Sequence, residues 1–188
     1  MAGLLVIIGL VLMIAIVGIA LYNGMIAKKN AVEAAFSGID VQLKKRYDLV
    51  PNLVESTKTF MKHEKQLLER LVELRSRGLA SPPGSSESMR VNAELTTALR
   101  GFSMAVEAYP QLRPVESFTL LQRFLNEIEE QLAASRRFFN AAVNDFNDAI
   151  EQFPTSYFAS MLRYQRRALF EAPPEERKNV SVSNLFER

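Results

Sequence analysis

Few residues in this 188-residue chain could do chemistry, and none stands beside the partners that chemistry would need. The single histidine, His63, has no cysteine and no second histidine with which to share a metal. A carboxylate-bridged di-iron bundle needs Glu-x-x-His on paired helices, and the residue three before His63 is Phe60. Gly-rich phosphate loops, a Gly-x-Ser-x-Gly elbow and a P-loop lysine are all absent from the sequence. Glu127, Glu129 and Glu130 crowd together, but a catalytic pair would need one of them buried with a raised pKa. A solvated face or an interhelical ion pair is the expected reading. No catalytic residue, cofactor site or metal site is therefore assigned.

A second group of polar residues interrupts otherwise apolar stripes. Arg46 occupies a stripe position, and Asn140 and Asn147 lie seven apart on one helical face, with Arg136 four residues before Asn140. Polar groups on a seam cost stability unless paired, and their best-attested use is to fix register. An enzyme would require a polar pocket gathering Glu129, Arg136 and Asn140.

The elements that carry these residues all read as helices. Val32, Phe36, Ile39, Leu43, Val50, Leu53, Phe60, Leu67, Leu71 and Leu74 recur at steps of three and four, with Arg46, Thr57 and Glu64 as interruptions. The stripe keeps its phase through Pro51, which predicts one kinked helix running to about Arg77. The Pro/Gly/Ser-rich stretch 78–88 is a loop, and a second helix follows to Glu107, closed by Tyr109-Pro110. A third runs from Ser117 as N-cap to Phe153, ended by Pro154, and a fourth spans about Ser156 to Phe170. The fold class expected is all-α, an antiparallel four-helix bundle.

Ahead of these helices, Ala2 to Leu21 contains only Ala, Gly, Leu, Val, Ile and Met. Twenty helical residues span roughly 30 Å, the thickness of a bilayer's hydrocarbon core. A signal peptide would have a basic n-region and a shorter apolar core; here nothing basic precedes the run and the run is too long. The stripe resumes directly after Asn23, so the anchor reads as the first part of one long helix. Lys28 and Lys29 follow the span and no cation precedes it, which places the large domain in the cytoplasm and the short N-terminus outside. The division expected is 1–27 transmembrane anchor, 28–172 helical bundle and 173–188 polar tail.

A net charge of +2 with both signs interspersed argues against a nucleic-acid partner. The absence of cysteine excludes disulfides and thiolate metal sites and decides nothing about compartment.

The stretch Arg46-Tyr47-Asp48-Leu49-Val50-Pro51-Asn52-Leu53-Val54, preceded by Ile39 to Lys45 and followed by Lys62-His63-Glu64, resembles the signature of the LemA family. So do Ala108-Tyr109-Pro110-Gln111-Leu112, Glu116-Ser117-Phe118 with Leu121-Gln122, and Arg136-Arg137-Phe138-Phe139-Asn140 continuing to Phe146-Asn147 and Phe153-Pro154. The family's usual tyrosines in the third helix are here Phe139 and Phe146, and its glutamate-rich linker is a Pro/Ser loop. The resemblance implies a bacterial inner-membrane protein with a cytoplasmic helical domain, a LemA-like bundle and no assigned catalytic residues. A magnetosome protein belongs to the same family, which implies a link to membrane shaping or scaffolding.

Two functions follow as expectations. The first is a self-associating membrane scaffold whose partners are the lipid bilayer and further copies of itself; Ala20-x-x-x-Gly24 offers a small-residue packing face in the span. The second is an adaptor for another membrane protein, docking through Ser81-Pro82-Pro83 or through Val180, Val182 and Phe186 of the tail. No small-molecule substrate is identified.

Overall fold

The computed structural model describes residues 1–112 and 114–170, and these are helical with no strand among them. Helix α1 runs unbroken from Ala2 to Thr57, so the apolar run and the first domain helix are one element. At 1.5 Å per residue its 56 residues extend about 84 Å. Its apolar end has a mean hydropathy of 3.3 over the best window, and none of that window is buried. A core helix of a soluble domain would be covered there; this one presents every face outward, as a lipid-immersed helix does.

The helices α2 (Lys65–Ala80), α3 (Ser86–Val106) and α4 (Glu116–Glu151) complete a four-helix bundle around the domain half of α1. The short α5 (Thr155–Met161) follows. Helix α4 lies antiparallel along α1: Glu129 meets Arg46, Phe139 meets Phe36, and Val143 and Phe146 cluster with Val32. The larger core, through Val50, Leu53, Leu71, Leu74, Leu95 and Phe102, joins α1, α2 and α3. Ser85 caps α3 by accepting from the Ser88 amide at 3.1 Å. Gly84, just before it, has φ +73, and an added Cβ would lie 2.7 Å from the Phe36 ring. Only glycine suits that turn.

The expected kinked helix to Arg77 is instead a hairpin. Helix α1 passes through Pro51 and stops at Thr57; the chain turns through a 3-10 segment, Lys62–Glu64, and α2 returns along α1. The buried positions 50, 53, 57 and 61 and then 68, 71 and 74 keep three- and four-residue steps on each arm, with one seven-residue step across the reversal. There Met61 and Leu68 are buried and not the expected Phe60 and Leu67. Both arms face one core, so an apolar stripe resumes after the turn although the helix does not continue. The 58–64 turn contains neither Gly nor Pro; it is held by the Phe60 and Met61 amides donating to the Thr57 carbonyl at 3.0 and 2.9 Å and by complete burial of Met61.

The expected fourth helix, to Phe170, ends at Met161. The Arg163 amide donates to the Ser160 carbonyl (3.1 Å) and the Tyr164 amide to the Ala159 carbonyl (3.0 Å). This is the paired bonding of a Schellman stop, with Arg163 at φ 54 in the position glycine usually takes. Residues 163–170 then run back along α4 without helical structure. The expected tail, 173–188, lies outside the described residues.

Candidate functional site

Arg46 sits at the meeting point of three helices, and its side chain is 1% exposed. One terminal nitrogen donates to Asn92 Oδ1 (2.9 Å) and Thr96 Oγ1 (3.0 Å), both on α3. The other pairs with Glu129 on α4. Asn92 and Thr96 are four apart and so share a helical face; Thr96 also donates to the Asn92 carbonyl at 2.9 Å. Burial pulls the Arg46 pKa below its ordinary value and the Glu129 carboxylate opposes that pull. A guanidinium remains charged even so, which explains why its terminal donors are spread over three partners.

Tyr47, the next residue, packs against α2. An added Cβ on Gly78 would lie 2.4 Å from the Tyr47 ring, so glycine is what lets α2 approach α1 at this point. Burial pushes the Tyr47 phenol up, partly offset by neighbouring Arg46. The Tyr47 carbonyl accepts from Arg75 Nε at 3.0 Å. Arg46 and Tyr47 thus tie α1 to α2, α3 and α4 through two adjacent residues.

Beside Arg46, between α3 and α4, lies an open groove of about 740 Å³. Arg46, Arg100, Glu129, Glu130 and Arg136 contribute its charged wall and Met104 and Leu125 part of its apolar wall. Two of the three residues whose gathering an enzyme would require, Glu129 and Arg136, meet here. Asn140 does not join them. Glu127, expected on a solvated face or in an ion pair, is exposed and accepts from Gln131 Nε2 at 2.9 Å. His63 is exposed in the 58–64 turn. No group of three His, Cys, Asp or Glu residues that could hold a metal occurs among the described residues.

Asn140 and Asn147 hold the returning segment 163–170. The Asn147 amide donates to the Arg167 carbonyl (3.0 Å) and accepts from the Arg167 N–H (2.9 Å). Asn140 does the same for Phe170, at 3.0 and 2.7 Å. Seven helical residues rise roughly 10 Å, and three extended residues cover about the same distance. The spacing of the two asparagines therefore fits the spacing of the two backbone sites they hold. Arg136 stacks over the Phe170 ring (4.8 Å) and Arg167 over Phe146 (5.3 Å). These residues do fix register, but of a strap on α4 and not of helix on helix. Sequence reasoning missed Asn92, Thr96 and Arg75; a polar Asn92 between Val91 and Leu95 on a buried face was the signal for the first.

A helical bundle rigidly continuous with one apolar span, tied by a buried arginine junction, defines a class of single-pass membrane protein. The LemA family matches residues 35–184, four-fifths of the chain, and the chain belongs to that family. It is 24% identical to magnetosome protein MamQ 2 of Paramagnetospirillum magneticum over 88% of this chain and 70% of that protein. It is 22% identical to protein LemA of Metamycoplasma hominis over 87% of this chain and 74% of that one. Magnetosome protein MamQ of Magnetospirillum gryphiswaldense is also 22% identical, over 88% and 70%. None of these names denotes an enzymatic activity.

Proposed function

We propose that this protein is a non-catalytic, self-associating scaffold that organises the membrane it spans, with its bundle on the cytoplasmic side of a bacterial inner membrane. The observation that carries the reading is α1, which has no break between bilayer and bundle. A flexible tether would serve for mere localisation; a rod transmits the orientation of the span to the domain. Lys28 and Lys29 support the orientation, and the magnetosome relatives support a membrane-organising role.

The self-association face suggested is the outer seam of α1 and α4. Phe138 stands 66% exposed there, beside a furrow of about 310 Å³ lined by Ala34, Gly38, Ala134 and Ser135. Knob and furrow share one face, so two copies related by a two-fold axis would each fill the other's furrow. The mass of the full-length protein in mild detergent tests the idea across a concentration series. A complex that dissociates on Phe138→Asp supports it, and a monomer at every concentration overturns it. Protease cleavage of the Ser85 loop from outside intact spheroplasts would overturn the orientation.

A further inference from the structure

The bundle does not begin where the apolar span ends. On α1 the first covered positions are Gly18, Leu21 and Met25, a three- and four-residue stripe that starts inside the apolar run. What meets Gly18 is α5: the Phe158 ring lies 3.7 Å from where a Gly18 Cβ would stand. Gly18 is three residues before Leu21, roughly 4.5 Å deeper along the helix. The α4–α5 corner is therefore level with the last turn of the span.

At that level the corner turns apolar groups outward. Phe153 is 90% exposed, Tyr157 70% and Met161 61%, with Tyr157 stacked edge-on to Phe158 at 5.9 Å. The short helix is about 10 Å long, so these side chains occupy the depth at which interfacial aromatic residues sit. Two of its hydroxyls are bonded to backbone carbonyls of the corner itself. Thr155 Oγ1 donates to the Ala149 and Gln152 carbonyls (2.6 and 2.9 Å), and Ser160 Oγ donates to the Tyr157 carbonyl (2.8 Å). Backbone amides at Gln152, Ser156, Tyr157 and Leu162 also find carbonyl partners within the corner. A segment with much of its backbone bonded internally and large apolar groups turned outward suits the interfacial region of a bilayer.

We propose that the α4–α5 corner is a second, non-spanning membrane contact, in which Phe153, Tyr157 and Met161 enter the headgroup region beside the end of the span. The proposal rests on the span lying in a bilayer and is independent of self-association. The contact would fix the rotation of α1 about its own axis, because only one side of the rod carries the corner.

The chain has no tryptophan, so single-tryptophan variants of the full-length protein in phosphatidylcholine–phosphatidylglycerol vesicles report local depth. Tyr157→Trp and Phe153→Trp should emit at short wavelength and lose most of their intensity to phospholipids brominated near the headgroup. Leu79→Trp, exposed on α2 and outside the α1–α4 seam, stands beside the Gly78–Tyr47 contact about 39 Å beyond the end of the span and should be quenched by aqueous iodide only. Emission from Tyr157→Trp that is quenched by iodide and not by bromolipid overturns the proposal. Short-wavelength emission untouched by either quencher also overturns it, since a protein partner would then cover the corner. Leu12→Trp separates the failures: quenched by bromolipid while Tyr157→Trp is not, it leaves the span in place and removes the corner alone. Leu12→Trp unquenched by bromolipid overturns both.

Discussion

Arg75 donates its Nε–H to the carbonyl of Tyr47, the acceptor that Pro51 leaves without a helical donor. Proline has no N–H, so the carbonyl four residues earlier would otherwise go unfilled within a part-buried helix. The arginine thus repairs, from α2, a defect that proline creates in α1. Arg75→Ala is expected to cost about 1–2 kcal/mol, the penalty of an orphaned part-buried acceptor. In a Pro51→Ala background residue 51 can donate to Tyr47 itself, and the same substitution should cost markedly less. Thermal unfolding of the four proteins of this cycle in detergent checks the difference; equal costs in both backgrounds would refute the pairing.

Removing one partner of the Arg46 junction is expected to be worse than removing the charge altogether. Glu129→Ala leaves a buried guanidinium without its counter-ion, an error that costs several kcal/mol when both partners are buried. Glu129 is 41% exposed, so water recovers part of the loss and about 2 kcal/mol is expected. Arg46→Met combined with Glu129→Ala should be more stable than Glu129→Ala alone. Midpoints of thermal unfolding decide the order.

The strap on α4 should open in units of one asparagine. Asn147→Ala is expected to speed hydrogen exchange at the Arg167 amide while leaving Phe170 protected, and Asn140→Ala to do the converse. Each variant loses one donor and one acceptor to the backbone. Local opening of this kind leaves the exchange of core amides on α1 unchanged. Simultaneous loss of protection at both sites in either single variant would mean that the strap is one cooperative unit.

Acid should loosen the hairpin of α2 and α3 first. The Glu87 carboxyl is held below its ordinary pKa chiefly by the hydrogen bond from Arg77, and Glu73 by that from Arg70. A depressed folded-state pKa contributes stability above the unfolded value, about 4.3, and loses it as pH falls through the folded value. Stability should therefore hold from neutral pH down to about 5 and decline below about 4. Glu87→Gln should flatten part of that acid limb. Because these groups are solvated, added salt should shrink the effect as well.

The helical class and the unbroken entry from anchor into domain were legible in residue spacing; the seven-residue spacing marked Asn140 and Asn147 as a pair but not the strap they hold. Two helix ends were not legible. Thr57 ends α1 with no glycine or proline in the turn that follows, and apolar residues recur at helical spacing on the returning arm, so periodicity could not distinguish a long rod from a hairpin. Arg163 adopts φ 54 at the end of α5, where glycine would have announced the stop. In both places tertiary contact decides the backbone: Met61 is driven into the core, and Asn147 and Asn140 draw the chain back along α4. The Arg46 junction was half legible. A polar residue on an apolar stripe marked the position, but its acceptors on α3 and α4 are distant in sequence and follow only from the bundle's packing.

The continuity of α1 also makes bilayer thickness a mechanical variable. An apolar stretch longer than the local hydrocarbon core relieves the mismatch by leaning, typically by about 20°. Without a joint at Tyr22 the whole rod leans with it. The 36 residues between Leu21 and Thr57 extend about 54 Å, so such a lean carries the far end of the bundle some 18 Å sideways. Lipid composition, through thickness alone, would then set how closely neighbouring bundles stand.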